Sequence, residues 1–149
     1  MKYKLLGLVL FCGLMVTSCK NELQQVAGEY SYKISGSVIV DTVEERLTNE
    51  SGALHLINTD DEELLLTFNM LGGDVYTTNA DLENKQLKIA AFERIIVHNT
   101  KNFKTTISGE GEVYDDNIVV GLRYKGISLD ADSVELESED VKLVATRNK

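Results

Sequence analysis

The sequence predicts an all-β, antiparallel domain, and three observations carry the prediction. Apolar side chains recur at every second position along much of the chain. Gly, Asp and Asn punctuate those runs where turns are needed, and proline is absent. No stretch carries the 3.6-residue period of an amphipathic helix; even Asn79 to Phe92, the best candidate, fits period two better. The result is a meander of roughly eight to ten short-linked strands, antiparallel because parallel neighbours would need long crossovers. A strongly curved sheet or closed barrel would remove exposed edges, and a two-sheet β-sandwich is the alternative.

Each element follows from its own pattern. From Glu29, the residues Tyr30, Tyr32, Ile34, Gly36, Val38 and Val40 share one face of a half-buried strand. Leu54 and Leu56 flank His55 in the next, and Asn58 to Asp61 supplies a turn. Leu64, Leu66, Phe68 and Met70 return along one face to a turn at Gly72-Gly73-Asp74. A short β-prone piece, Val75 to Thr78, precedes a polar, turn-like Asn79 to Lys85. Leu87 and Ile89 open a strand whose period breaks at Ala90 to Phe92, the place for a bulge, before Ile95 to Val97.

The strongest hairpin runs from Phe103 to Ile127. Phe103, Thr105, Ile107, Gly109, Gly111 and Val113 form one face, Asp115-Asp116 the connection, and Ile118, Val120, Leu122 and Tyr124 the return. Val134 and Leu136 start the last strand, which changes phase near Glu139-Asp140 before Val141, Leu143 and Ala145. Gly36, Gly109, Gly111, Gly121 and Gly126 inside strand patterns indicate curvature or close backbone approach, or space for a ligand.

Few residues suggest chemistry. His55 lies on an alternating strand, His98 precedes Asn99-Thr100 and reads as loop-exposed, and their spacing supports no metal site. No nucleophile elbow or phosphate loop is present, so no catalytic residue is assigned and no cofactor is expected. The clustered carboxylates read as solvated turns and strand faces; they lack the ligand order of a calcium-binding loop. The candidate ligand cavity is the inward aromatic and aliphatic set Tyr30, Tyr32, Ile34, Phe68, Leu122 and Tyr124, which offers an apolar lining with phenolic handles. With 15 basic against 24 acidic residues, a formal net charge of -9 argues against nucleic acid and against electrostatic attachment to anionic membranes.

The first eighteen residues have the layout of a secretory signal: Lys2 and Lys4, an apolar run from Leu5 to Val16, then small residues. The run is about a dozen residues, short for a ~30 Å hydrocarbon layer. Val16-Thr17-Ser18-Cys19 resembles a bacterial lipoprotein signal. That resemblance implies cleavage after residue 18, lipid on Cys19, a tether over 19–27, and one β-domain over 28–149. Two or three acyl chains hold a protein stably where one does not, so the covalent lipid on Cys19 would supply the membrane contact. Cys12 would leave with the signal, and the domain would have no disulfide.

The Cys-Lys-Asn-Glu start and the whole layout resemble small single-domain envelope lipoproteins of Bacteroidales, some with lipocalin-like or calycin-like domains. The resemblance implies export and anchoring, on the periplasmic or surface face of the outer membrane. Asp41-Thr42-Val43 and Asp132-Ser133-Val134 resemble O-glycosylation sequons of that group, making Thr42 and Ser133 candidate sites. The expected function is a non-enzymatic module for a small or hydrophobic ligand. The alternative is a structural or interaction lipoprotein with a solid core and an envelope protein as partner.

Overall fold

The computed structural model describes residues 22–59, 62–130 and 133–149. The expected signal, its cleavage site and Cys19 lie outside the described residues, as do Asp60, Asp61 and Asp132. Nine strands follow in order: β1 (Gly28–Val40), β2 (Val43–Arg46), β3 (Glu50–Asn58), β4 (Leu64–Met70), β5 (Val75–Glu83), β6 (Gln86–His98), β7 (Lys101–Val113), β8 (Asn117–Ser128) and β9 (Glu135–Arg147). All pairings are antiparallel between sequence neighbours, save that β1 pairs with β3 and closes the ring on β9. Eight strands make the barrel and β2 is extra. The closed barrel, rather than the sandwich, is the architecture.

Closure follows from period two. Most inward positions of the eight barrel strands are apolar, and Tyr30, Leu54, Leu66, Phe103, Ile118 and Leu143 are almost completely buried. Each such side chain contributes about 1.5–3 kcal/mol on leaving water, which suits a domain held together without a disulfide. Inward polar groups bond locally: Thr105 Oγ1 donates to the Phe103 carbonyl at 3.2 Å, and Thr78 Oγ1 to that of Ala90 at 3.0 Å. The two expected irregularities are present. The β6–β7 register shifts between Ile89 and Phe92, and the β1–β9 register shifts between Ser37 and Val38, where Glu139 is skipped.

Three expectations are corrected. Asn79 to Lys85 is not a turn: β5 runs on to Glu83, and only Asn84 and Lys85, both at positive φ, make the connection. The polar outward side chains masked a strand whose inward residues here are the small Ala80 and the half-buried Leu82. The same two-residue geometry, with positive φ at both positions, recurs at Asp41-Thr42 and Asn99-Thr100. His98 is not in a loop. It ends β6 in the inward register and is 3% exposed, with Nε2 2.7 Å from Glu45 Oε2.

Of the stretch 19–27 expected as a tether, the described residues 22–27 are packed against the barrel. Residues 22–26 form a helical turn whose Leu23 and Val26 are buried in the barrel core. Tyr30 Oη donates to the Val26 carbonyl at 2.8 Å, and Arg147 reaches the carbonyls of Gln25 and Ala27 and the Tyr30 hydroxyl. This turn plugs the barrel at the end where β5 turns into β6, with the Lys85 amide donating to Glu22 Oε1. Three residues separate Leu23 from Val26, a spacing that puts both on one helical face, but one turn is too short to display a period.

Candidate functional site

The opposite end is open, and two local failures of pairing make it so. The β1 edge that pairs with β3 as far as Ile34↔Glu50 pairs with β2 from Ser37↔Arg46 onward. Residues 47–49 belong to neither β2 nor β3; the Leu47 amide still donates to the Gly36 carbonyl at 2.9 Å, and 48–49 then leave the ladder. Across the barrel, β5 pairs with β6 only over Ala80–Glu83 against Gln86–Ile89, so the two strands diverge towards Val75 and His98. Between these breaks lies a cleft of about 310 Å³. Its apolar walls include Ile34, Leu47, Leu71 and Ile96, with Arg94 and Tyr124 supplying polar groups.

A polar cluster forms the floor. Glu50 Oε2 accepts from Arg94 Nη1 at 2.8 Å, and Glu50 Oε1 accepts from Tyr32 Oη at 2.8 Å and Tyr76 Oη at 2.5 Å. The Glu50 and Arg94 side chains are each only 12% exposed. The guanidinium carbon lies 4.1 Å from the Tyr76 ring centroid, a cation–π contact that further holds the charge. Beneath it the rings continue: Tyr32 meets Phe68 edge-on at 5.2 Å, Phe68 stacks on Tyr76 at 4.8 Å, and Tyr76 stacks on Phe92 at 5.5 Å.

This environment keeps the phenols protonated. Burial, reinforced by the Glu50 carboxylate, raises Tyr32, Tyr76 and Tyr124 well above the usual tyrosine value of 10.0. Burial also raises Tyr30 at the plugged end. For Arg94, burial works against the charge, but Tyr76 and Glu50 outweigh it and the pKa is raised. A raised folded pKa means stability is complete below the unfolded value and is lost as pH rises through it. The urea midpoint is therefore expected to hold from neutral pH to about pH 9 and to fall steeply above about pH 10. Denaturation at a series of pH values checks this, with phenolate absorbance read alongside. An unchanged midpoint at pH 11 would contradict it.

The six residues of the sequence-derived cavity are distributed as follows. Ile34 and Tyr124 line the cleft, Tyr32 reaches its floor through Glu50, and Phe68 stacks just below. Tyr30 is engaged at the plugged end, and Leu122 packs inward on β8 facing the Gly109 position. Glu50, Tyr76 and Arg94 were not anticipated. Arg94 could have been found by carrying the inward parity across the β6 bulge: Leu87 and Ile89 precede it, and Phe92, Arg94, Ile96 and His98 follow. His55 sits half-buried on β3, 3.5 Å from Glu29. Thr42 and Ser133 are both exposed, with positive φ. Among the described residues, no three His, Cys, Asp or Glu side chains converge as metal ligands would.

Neither a family model nor a curated protein matches the chain. Among solved structures it is similar to a DUF3598-family protein of unknown function from Nostoc punctiforme, at 12% identity and a TM-score of 0.35. The match covers 85% of this chain and 49% of the other, so the chain spans about half that protein's length. The described residues themselves form a closed eight-strand antiparallel barrel with one extra strand, consistent with a lipocalin-like barrel.

Proposed function

We propose that this chain is an exported, lipid-anchored binding module of the cell envelope that takes a small amphipathic ligand in the cleft above Glu50 and Arg94. The observation that carries the reading is a partly buried charge pair under an apolar-walled opening. Binding sites combine such walls with a few placed polar groups, and a volume of about 310 Å³ lies at the small end of their range. Binding fits better than catalysis, because the cleft's one buried carboxylate, Glu50, already accepts from three donors. Lipid on Cys19 would sit just before the helical turn at 22–26, at the plugged end. The cleft would then open away from the membrane and receive its ligand from the aqueous side.

A protein partner is the second reading, favoured by the exposure of Leu71, Val75, Ile95 and Val97 at the open end. Native mass spectrometry of protein extracted from its own membranes, with lipids retained, separates the two. A co-purifying small molecule is expected beside the mass of a lipidated chain beginning at Cys19. A stoichiometric protein in its place would favour the interaction reading. An unlipidated full-length chain with nothing bound would defeat the proposal, and the same spectrum shows whether Thr42 or Ser133 carries a glycan.

A further inference from the structure

The donors and acceptors around the cleft define which head group it can hold. Arginine carries five N–H donors and no acceptor. Arg94 directs Nη1 at Glu50 and Nη2 at the Met70 Sδ, 3.5 Å away. Thioether sulfur is a weak acceptor, so the guanidinium retains donor capacity towards the opening. Tyr124 lines the same cleft and its hydroxyl has no hydrogen-bond partner among the described residues, whereas its amide is held by Ser138. The Glu50 oxygens are the reverse case: three of their four acceptor sites are already taken, two on Oε1 and one on Oε2. The floor therefore offers more free donors than free acceptors.

Charge narrows the class further. Glu50 balances Arg94 at 2.8 Å, leaving no net charge on the floor, and Asp74 adds a negative charge at the cleft wall. An anionic head would meet Asp74 with its counter-charge already matched. A cationic head would lie beside Arg94 and find Glu50 engaged, with only the solvent-exposed Asp74 to pair with, a contact that water screens. Desolvating either ion without a partner costs several kcal/mol. A neutral carbonyl avoids both penalties and accepts from the two groups that can still donate.

Resting on the cleft reading above, we infer that the ligand is a neutral acyl compound, such as an amide or ester, whose carbonyl oxygen accepts from Arg94 and Tyr124 while its hydrocarbon part lies against Ile34, Leu47 and Ile96. Hydrogen bonding to Arg94 leaves its pairing with Glu50 intact, so binding does not break the floor.

Three probes of matched chain length test this on the intact protein in lipid nanodiscs: hexanamide, hexanoate and hexylammonium at pH 7. Hexanamide is expected to bind at least tenfold more tightly than either ion. Tyr124→Phe should weaken hexanamide about fivefold, the loss of one ordinary hydrogen bond, with unchanged thermal stability. Asn49→Trp places a large side chain at the mouth of the cleft, in the exposed segment outside the ladder, and should abolish binding. If hexanoate or hexylammonium binds as tightly as hexanamide, the neutral-head inference is overturned and the cleft reading stands. If no probe binds, or if binding survives Asn49→Trp, the cleft reading falls and takes the inference with it.

Discussion

Arg94→Met is expected to lower stability by about 3 kcal/mol, the lower end of what breaking a buried ion pair costs. The lower end applies because the Arg94 and Glu50 side chains each keep 12% exposure at the cleft, which lets water relieve part of the strain. The loss has two sources: Glu50 remains with a charge answered only by two phenols, and the cation–π contact to Tyr76 disappears. Glu50→Gln should cost less, about 1–2 kcal/mol. It keeps an acceptor for one tyrosine, and Arg94 can turn its donors to the opening. The double variant should be more stable than the sum of the two losses, because neither partner is then left as an unmatched charge. Urea denaturation of the four proteins measures the coupling; an Arg94→Met loss under 0.5 kcal/mol would show that the pair does not organise the cleft floor.

That cycle bears on function as well as stability. A buried ion pair can often be replaced by well-packed apolar side chains at little or no cost. The other end of this barrel is filled by Leu54, Leu56, Leu64, Leu66 and Ile118, so apolar filling is available to the fold. A charged floor at the one open end therefore adds what apolar filling could not, namely fixed donors beneath a hydrophobic wall. The breaks in pairing at residues 47–49 and between β5 and β6 supply access to it.

Much of the barrel was legible because most strands bury one face and expose the other. Phe103 to Val113 and Ile118 to Ser128 alternate almost without fault and pair as one hairpin, Phe103↔Ser128 through Val113↔Ile118. Reading failed where a strand's inward residues are small or polar. Only Ala80 and Leu82 set apolar weight against Asn79, Asp81, Glu83, Asn84 and Lys85, so a strand looked like a turn. His98 and Arg94 are inward by parity but polar by type, and type prevailed. The cleft was hidden for a different reason. Glu50 acquires its role from Arg94, 44 residues away, and from Tyr32 and Tyr76, which only the closed ring brings to it. The inward set read from the sequence accordingly contains two of the three phenols at the cleft, Tyr32 and Tyr124, lacks Tyr76, and includes Tyr30 at the far end.

Gly111→Ala and Gly121→Ala should move stability in opposite directions, although both glycines lie in the same hairpin. A Cβ at Gly111 would stand 2.0 Å from the Val119 carbonyl oxygen and 2.5 Å from the Val120 Cα. Both are backbone atoms of the paired strand, where Gly111 faces Val120 in the ladder. No rotamer change can relieve that clash; β7 and β8 must separate. The expected loss is about 3 kcal/mol or more, at or beyond the usual cost of overpacking. At Gly121 the nearest atom to a new Cβ is the Glu110 carbonyl oxygen at 3.8 Å, an ordinary contact on the outer face. There alanine restricts the unfolded chain without disturbing the folded one, for an expected gain of about 0.4–1 kcal/mol. Thermal and urea unfolding of the two variants decide the matter. If Gly111→Ala matched the parent, β7 and β8 could not approach as closely as the barrel requires, and Gly111 would be ordinary strand. Opposite signs would locate the glycine requirement in strand approach at the curved hairpin rather than in room for a ligand, leaving the open end by Glu50 and Arg94 as the place where the barrel makes space.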